Sequence, residues 1–279
     1  MNKLLAHFKI MRPLNLTIGA FSVIITASIL KQMDQVVAWI TALIVVVSYN
    51  AAANAINDYF DLETDKINRP NRPLVTGEVQ PKTALYLSII LFIVGTLFAI
   101  TLPTTATFIA VAIALPIMIF YSIWFKGMPL VGNFIIATIL GLTFLFAGAA
   151  LGNLLNMIVP ALLAFGLTIT RELVKDISDV EGDSMAKLKT FPIVVGIKKG
   201  WVLVSVFAVL LGIGAIIPFK IGIYNYWYIL FVIFGVEIPL VITVFSAMKF
   251  PTIIVAERVA KLLKFSTIAG IIAVWLGSI

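Results

Sequence analysis

The sequence predicts an all-α, polytopic membrane protein, and three observations lead there. Hydrophobic residues make up 61% of the 279 and charged residues only 12%, about half the roughly 25% of soluble domains. Apolar runs long enough to cross a bilayer as a helix recur along most of the chain. These runs do not alternate in the two-residue period of a membrane β-strand.

Nine spans are expected, at roughly 14–30, 36–59, 83–102, 105–125, 129–151, 155–177, 200–217, 226–247 and 260–278. The first follows a basic start (Lys3, Lys9, Arg12) but no clean A-x-A cleavage site, so it reads as a retained helix rather than a signal peptide. His7 lies in an amphipathic stretch with Leu4, Leu5, Phe8, Ile10 and Met11, which suits the membrane interface. The connections then alternate in charge. Lys66, Arg69, Arg72 and Lys82 follow the second span, Lys126 the fourth, Lys187, Lys189, Lys198 and Lys199 the sixth, and Lys249, Arg258, Lys261 and Lys264 the eighth. The opposite connections carry Lys31 and Lys220. The positive-inside rule therefore expects a cell-membrane protein with its N-terminus on the cytoplasmic side.

The chain has no cysteine and one histidine. That excludes disulfides, thiolate metal sites and cysteine nucleophiles, and argues against a histidine zinc site or a Ser-His-Asp triad. Nothing points to nucleic acid.

Chemistry is concentrated in two places. The second span ends in "NAINDYFDLETD" (54–65), and about 120 residues later the sixth ends in "RELVKDISDVEGD" (171–183). Asn54, Asp58, Asp61 and Asp65 stand at i, i+4, i+7 and i+11, and Glu172, Asp176, Asp179 and Asp183 repeat that spacing. On a helix these positions form a stripe roughly 60° wide, with Glu63 and Glu181 on the far side. Similar tails follow, "RPLVTGEV" and "TFPIVVGIK". Four helices separate the columns, so both belong on the cytoplasmic side, in a four-plus-four repeat with a ninth helix added. One DxxD is an ordinary solvated loop. Two columns at one spacing, each at a span end, favour function.

Packed carboxylates at a membrane edge repel and are costly to desolvate. A divalent cation is the expected compensation, and all-oxygen ligands suit Mg2+ or Mn2+. Mg2+ keeps waters and shares substrate phosphate oxygens, so two such columns would clamp a diphosphate. Lys66, Arg69 and Arg72 follow the first column, Arg171 and Lys175 flank the second, and Tyr121 and Lys126 close the fourth span. These suit phosphate oxygens, though positive-inside charge accounts for several equally well. Tyr59, Phe60, Tyr121 and Trp124 are near enough in sequence to offer aromatic faces to a carbocation. Glu237, in the middle of the eighth span, is an intramembrane acid outside both columns.

The paired strings "NDYFDLETD" and "DISDVEGD" resemble the two Asp-rich motifs of the UbiA superfamily of intramembrane prenyltransferases, and the likeness runs along nearly the whole chain. The resemblance implies Mg2+ and prenyl diphosphate at Asn57, Asp58, Asp61, Asp65, Asp176, Asp179 and Asp183. It also implies diphosphate contacts from Tyr121 and Lys126, and weaker candidates at Arg12 and Asn15 in "MRPLN". The strings "INRPNRPLVTGEV" and "RELVKDISDVEGD" are most similar to members that make archaeal ether lipids. Those members transfer a geranylgeranyl group from geranylgeranyl diphosphate to the hydroxyl of geranylgeranylglyceryl phosphate.

The resulting expectation is a single membrane-embedded prenyltransferase domain over 1–279. Asp61, Asp179, Tyr121 and Lys126 are expected to be catalytic. Asn15, Asn54, Asn57, Lys66, Arg69, Arg72, Arg171 and Lys175 are expected to bind substrate, the last two and Arg69 at a phosphorylated, lipid-like acceptor. Asp58, Asp61, Asp65, Asp176, Asp179 and Asp183 are expected to hold metal. "LVTG" stands where those members carry "IPSG", which keeps an aromatic (quinone or chlorophyll type) acceptor as the alternative. A cation-coupled transporter is the alternative of another class.

Overall fold

The computed structural model describes residues 3–279, with side chains from Leu5 onward; the Lys3 side chain lies outside that set. The described residues are helical, with no strand among them. They divide into two compact units, the first running to Lys126 and taking in Leu142–Asn156, the second taking in Gly127–Gly141 and Met157–Ile279.

The first unit holds α1 (Lys3–Ile10), α2 (Pro13–Ile29), α3 (Val36–Phe60), α4 (Leu62–Asn68), α5 (Pro81–Ala99) and α6 (Thr104–Phe125). The latter part of α7 (Val131–Ala150) also belongs to it. α2 and α5 each begin with proline in the first turn, where its missing N–H is no loss. α3 is the hub and packs on α2 and α5. Tyr49 of α3 meets the ring of Phe92 edge-on at 5.7 Å and shares a 2.9 Å hydrogen bond with Thr96. α1 is more than an interfacial segment. Ala6 and Ile10 are buried in a cluster with Ala55, Leu74, Val79 and Ala84, while Leu5 and Phe8 on its other face stay exposed.

The second unit holds α8 (Ile158–Ser178), α9 (Val180–Met185), α10 (Phe191–Val195), α11 (Ile197–Lys220), α12 (Tyr226–Lys249) and α13 (Ile253–Ser278). α8 is its hub and packs on α11 and α13, and α12 packs on α13. Side-chain caps open two of these helices: Asn225 accepts from the Trp227 N–H at 2.8 Å and Thr252 from the Val255 N–H at 3.3 Å.

Among the described residues eight helices are long and apolar enough to cross a membrane; α2, with 17 residues, is a shorter apolar helix. Two spans are wound as π-helix in mid-course, at Phe108–Ala114 and Ile233–Glu237. Both segments stop two residues before a proline, Pro116 and Pro239. A helical proline removes a hydrogen bond and clashes with the carbonyl four residues back, which is Ala112 in one span and Gly235 in the other. The wider π turn relieves that clash without breaking the helix. At Pro239 the helix changes winding and continues.

Gly235 shows how tightly the π segment of α12 sits on α13, since a Cβ there would lie 2.4 Å from the Ala269 Cβ. Gly235→Ala is expected to lower stability by about 1–3 kcal/mol through overpacking. Gly214→Ala, where a Cβ meets nothing within 4 Å, should not. Thermal unfolding of the two variants in one detergent measures the difference.

Candidate active site

Each acidic column is bent at the same place. α3 ends at Phe60 and α4 starts at Leu62, with Asp61 between them at φ −87°, ψ 3°. α8 ends at Ser178 and α9 starts at Val180, with Asp179 between them at φ −98°, ψ 5°. The ladder survives both bends, through Asp61 N–H to Asn57 O at 2.8 Å and Asp179 N–H to Lys175 O at 2.9 Å. The straight columns expected from the spacing are therefore two-part, hinged on the third position of each. Glu63 and Glu181 are exposed.

In the first unit the acids are held by cations from three separate segments. Arg12 Nη2 donates to Asp58 Oδ1 at 2.5 Å, and Arg72 Nη1 donates to the same oxygen at 3.0 Å. Arg72 also pairs with Asp65, and Lys126 pairs with Asp61. Asp58, Asp61 and Asp65 are all buried. Burial pushes the Asp65 carboxyl above the usual carboxylate range; Arg72 pulls it back, and the charges on Asp61 and Asp58 push it up again.

Local winding explains how Lys126 arrives. Residues Tyr121–Phe125 form a π turn, and the Lys126 N–H bonds Tyr121 O at 3.0 Å. That winding brings Ser122 and Lys126 nearly into line. Ser122 Oγ donates to Asn57 Oδ1 at 2.6 Å, one turn before the Lys126–Asp61 pair. Tyr121 is buried in the same turn. Asn54 donates to Met11 O at 2.9 Å and so ties α3 to the segment that carries Arg12. Arg12 itself adopts the left-handed conformation, φ 55°, strained for a side-chain-bearing residue. Asn15 is half-buried in the first turn of α2.

The structure does not gather every candidate. Lys66 turns to exposed Glu63 at 2.6 Å, and the Arg69 guanidinium donates to Asn68 O at 2.7 Å. Phe60 and Trp124 are exposed, the latter stacked on Phe120 at 5.1 Å.

In the second unit Asn133 Nδ2 donates to Asp176 Oδ2 at 2.8 Å. Arg171 and Lys175 both reach Glu172, at 2.7 and 3.1 Å, and Ser178 Oγ lies 3.2 Å from Asp179 Oδ1. Asp183 is buried on α9. Sequence reasoning missed Ser122 and Asn133. Their only signal is a lone polar residue near the end of an apolar span.

All the donors are oxygens, which fits a hard divalent cation. Among the described residues, however, no three acids converge closely enough to enclose an ion by themselves. Asp58, Asp61, Asp65 and Asp176 are paired with arginine, lysine and asparagine. That arrangement still suits Mg2+, which binds through one or two carboxylates and completes its shell with water and phosphate oxygens.

The fold is that of a multi-pass helical membrane protein with buried acids gathered at the ends of its spans. Residues 19–277 match the UbiA prenyltransferase family, and the chain belongs to it. It is an intramembrane prenyltransferase, which sets the transporter alternative aside. It is 40% identical over 232 residues to the digeranylgeranylglyceryl phosphate synthase of Saccharolobus solfataricus, covering 82% of this chain and 80% of that one. It is 33% identical over 278 residues to the enzyme of that name from Thermococcus kodakarensis, covering 98% of each. A solved structure of a digeranylgeranylglyceryl phosphate synthase covers 100% of this chain and 99% of its own, at 29% identity and a TM-score of 0.78. A UbiA homologue from Archaeoglobus fulgidus, solved with DMAPP and Mg2+, shares the fold at 17% identity and a TM-score of 0.60, over 96% of this chain and 98% of its own.

Arg72 serves two acids, so Arg72→Met should destabilise the protein by about 2–4 kcal/mol, by leaving Asp65 buried without its cation. Lys66→Met, on an exposed pair, should stay within about 0.5 kcal/mol. Denaturation midpoints of both variants in detergent test the contrast.

Proposed function

We propose that this chain transfers the geranylgeranyl group of geranylgeranyl diphosphate to the free hydroxyl of geranylgeranylglyceryl phosphate, with Mg2+, as one catalytic domain over 1–279. The allylic C1–O bond to diphosphate breaks, a C1–O ether bond to the acceptor forms, and the hydroxyl proton leaves. The observation that carries this reading is the recurrence of one bent acidic column, hinged at Asp61 and at Asp179. The relatives named for this synthase support the choice of substrates.

Asp58, Asp61, Asp65, Asp176, Asp179 and Asp183 would hold Mg2+, which when bound neutralises charge on the leaving diphosphate. Lys126, Arg72 and Arg12 sit on the carboxylates of the first column and are suited to turn from carboxylate to phosphate oxygen. Both are hard oxyanions, so exchange leaves each cation paired. Tyr121, buried in the π turn at the end of α6, and Asn57 of α3, bonded to Ser122 of that turn, would orient the diphosphate. The prenyl tail lies in the bilayer, which is why the enzyme is intramembrane.

The fold is read as four-plus-four with α13 added. Three matched features support it. Asp61 and Asp179 bend their columns alike. The second and sixth spans receive, at Asp58 and Asp176, a donor from the start of the first and fifth, Arg12 and Asn133. The fourth and eighth spans wind as π-helix just before Pro116 and Pro239. α2, about 25 Å long at 1.5 Å per residue, is counted as the ninth span.

Asp61→Asn and Asp179→Asn are expected to lower turnover at least about 1000-fold while the protein stays folded, and EDTA should stop the wild-type enzyme. Mass spectrometry of products from geranylgeranyl diphosphate, with geranylgeranylglyceryl phosphate and an aromatic precursor offered in parallel, is the test. Near-normal activity in either variant would sink the metal role, and a prenylated aromatic as the product would move the acceptor. The proposed cytoplasmic N-terminus and acidic columns predict a labelling pattern. The chain has no native cysteine, so single cysteines at Lys82 and Lys31 can be compared. An impermeant maleimide applied to intact cells should label Lys31→Cys and spare Lys82→Cys.

A further inference from the structure

We propose that Asn133 is a positioning residue for the metal: its side-chain amide fixes one oxygen of Asp176 and leaves the other, with the carboxylate's charge intact, for a divalent cation. Asp176 is then an acid that takes metal before a diphosphate arrives. This rests on the metal role proposed above and adds a residue and an order of binding to it.

Placement is the first argument. Asn133 is the third residue of α7 and is buried. An asparagine in a helix ordinarily bonds backbone groups nearby. This one reaches across 43 residues of sequence to α8, where Nδ2 donates to Asp176 Oδ2 at 2.8 Å. The chain enters α7 through Leu130 at φ 64°, and the Phe134 N–H bonds Leu130 O at 2.9 Å. A leucine in that region is strained, and such strain persists where the surroundings over-determine it. Asn133 therefore stands on a fixed turn.

What the contact leaves over is the second. Asp176 is half-buried. Its other oxygen, Oδ1, makes no hydrogen bond or ion pair among the described residues. Nor is that oxygen sealed in the packing, as Glu237 Oε1 is. The amide thus leaves one open anionic oxygen beside a fixed one. Asn133 Oδ1 also makes no hydrogen bond among the described residues, and an amide oxygen can accept from a water in a cation's shell.

Charge is the third. A donor meant only to satisfy a carboxylate would do more as a cation, and Asp58, at the matching position, has two, since Arg12 and Arg72 both donate to its Oδ1. Asp65 and Asp61 are paired with Arg72 and Lys126. An amide orients a carboxylate without neutralising it. The cation next to Asp176 in sequence, Lys175, is bonded to Glu172 at 3.1 Å. Metal at the first column must displace an arginine or a lysine, whereas at Asp176 no guanidinium or ammonium holds the carboxylate. Carboxylates that ligate metal are themselves held by hydrogen bonds, and losing that partner costs roughly 10- to 100-fold in metal affinity or activity.

The test uses full-length wild type, Asn133→Leu and Asn133→Gln in neutral detergent without substrate. Each is titrated with Mn2+, the free ion being read by electron paramagnetic resonance. Leucine keeps the volume and drops the amide; glutamine keeps the amide. Asn133→Leu is expected to bind Mn2+ about 10- to 100-fold more weakly, and Asn133→Gln to recover part of that loss. Asp58→Asn should change substrate-free binding by less than about twofold, as a site whose acid is already paired with arginine. In turnover, the Mg2+ concentration giving half-maximal rate should rise in Asn133→Leu by the factor seen with Mn2+, while kcat at saturating Mg2+ stays near that of wild type. A merely structural contact would not produce that split. Unchanged Mn2+ affinity in Asn133→Leu, with or without a loss of thermal stability, would overturn the proposal. So would no recovery in Asn133→Gln, an equal loss in Asp58→Asn, or Mn2+ binding by wild type only once a diphosphate is added. The substrate-free titration also separates this proposal from the reaction. If wild type binds Mn2+ and Asn133→Leu does so weakly although no ether product forms, the positioning role stands and the proposed reaction falls. If both bind alike while product forms, the reaction stands and the positioning role falls.

Discussion

Every acid at the end of an apolar span has to be matched before the helix can pack there, and this constraint organises the first unit. Asp58, Asp61 and Asp65 are buried, where an uncompensated carboxylate is costly. Arg12, Arg72 and Lys126 compensate them, and each comes from a different segment: the joint before α2, the loop after α4 and the end of α6. Satisfying one column therefore fixes the course of three stretches of chain. The strained backbone of Arg12 follows from it, since its guanidinium must turn back to Asp58 just where Pro13 starts a new helix. So does the π turn at Tyr121–Phe125, which brings Lys126 onto Asp61 and Ser122 onto Asn57 together. A machinery of oxyanions and cations already in contact is also one that a diphosphate can enter by exchange, with little new charge to desolvate.

The periodic part of this was legible in the sequence. Runs of apolar residues located the helices, because a span must be long and greasy whatever it packs against. The acid spacing located the columns, because i+4 and i+7 fall on one face. What the pattern could not carry were partners far apart in the chain. Arg12 meets Asp58 across 46 residues and Lys126 meets Asp61 across 65, and nothing local distinguishes them from Lys66, which turns instead to exposed Glu63. Asn133 and Ser122 were invisible for the same reason. A single amide or hydroxyl in an apolar helix usually bonds its own backbone, as Thr138 and Thr170 do. Changes of winding were half legible: Pro239 signalled trouble in the eighth span, but whether a helix breaks or widens is decided by its neighbours. Amphipathicity alone does not say what covers each face of α1: Ala6 and Ile10 pack into the protein, and Leu5 and Phe8 stay exposed.

The features that recur along the chain also differ in one respect. The hinge aspartate, the donor to the preceding acid and the π turn before proline each occur twice. The chemistry of the donor does not. Asp58 receives a guanidinium and Asp176 a neutral amide. An amide satisfies a lone pair but leaves the carboxylate's charge uncancelled, whereas a guanidinium does both. The cations nearest the second column, Arg171 and Lys175, lie on the same helix and are engaged by Glu172. The two columns are thus alike in their bend and unlike in the donor that meets the acid before it.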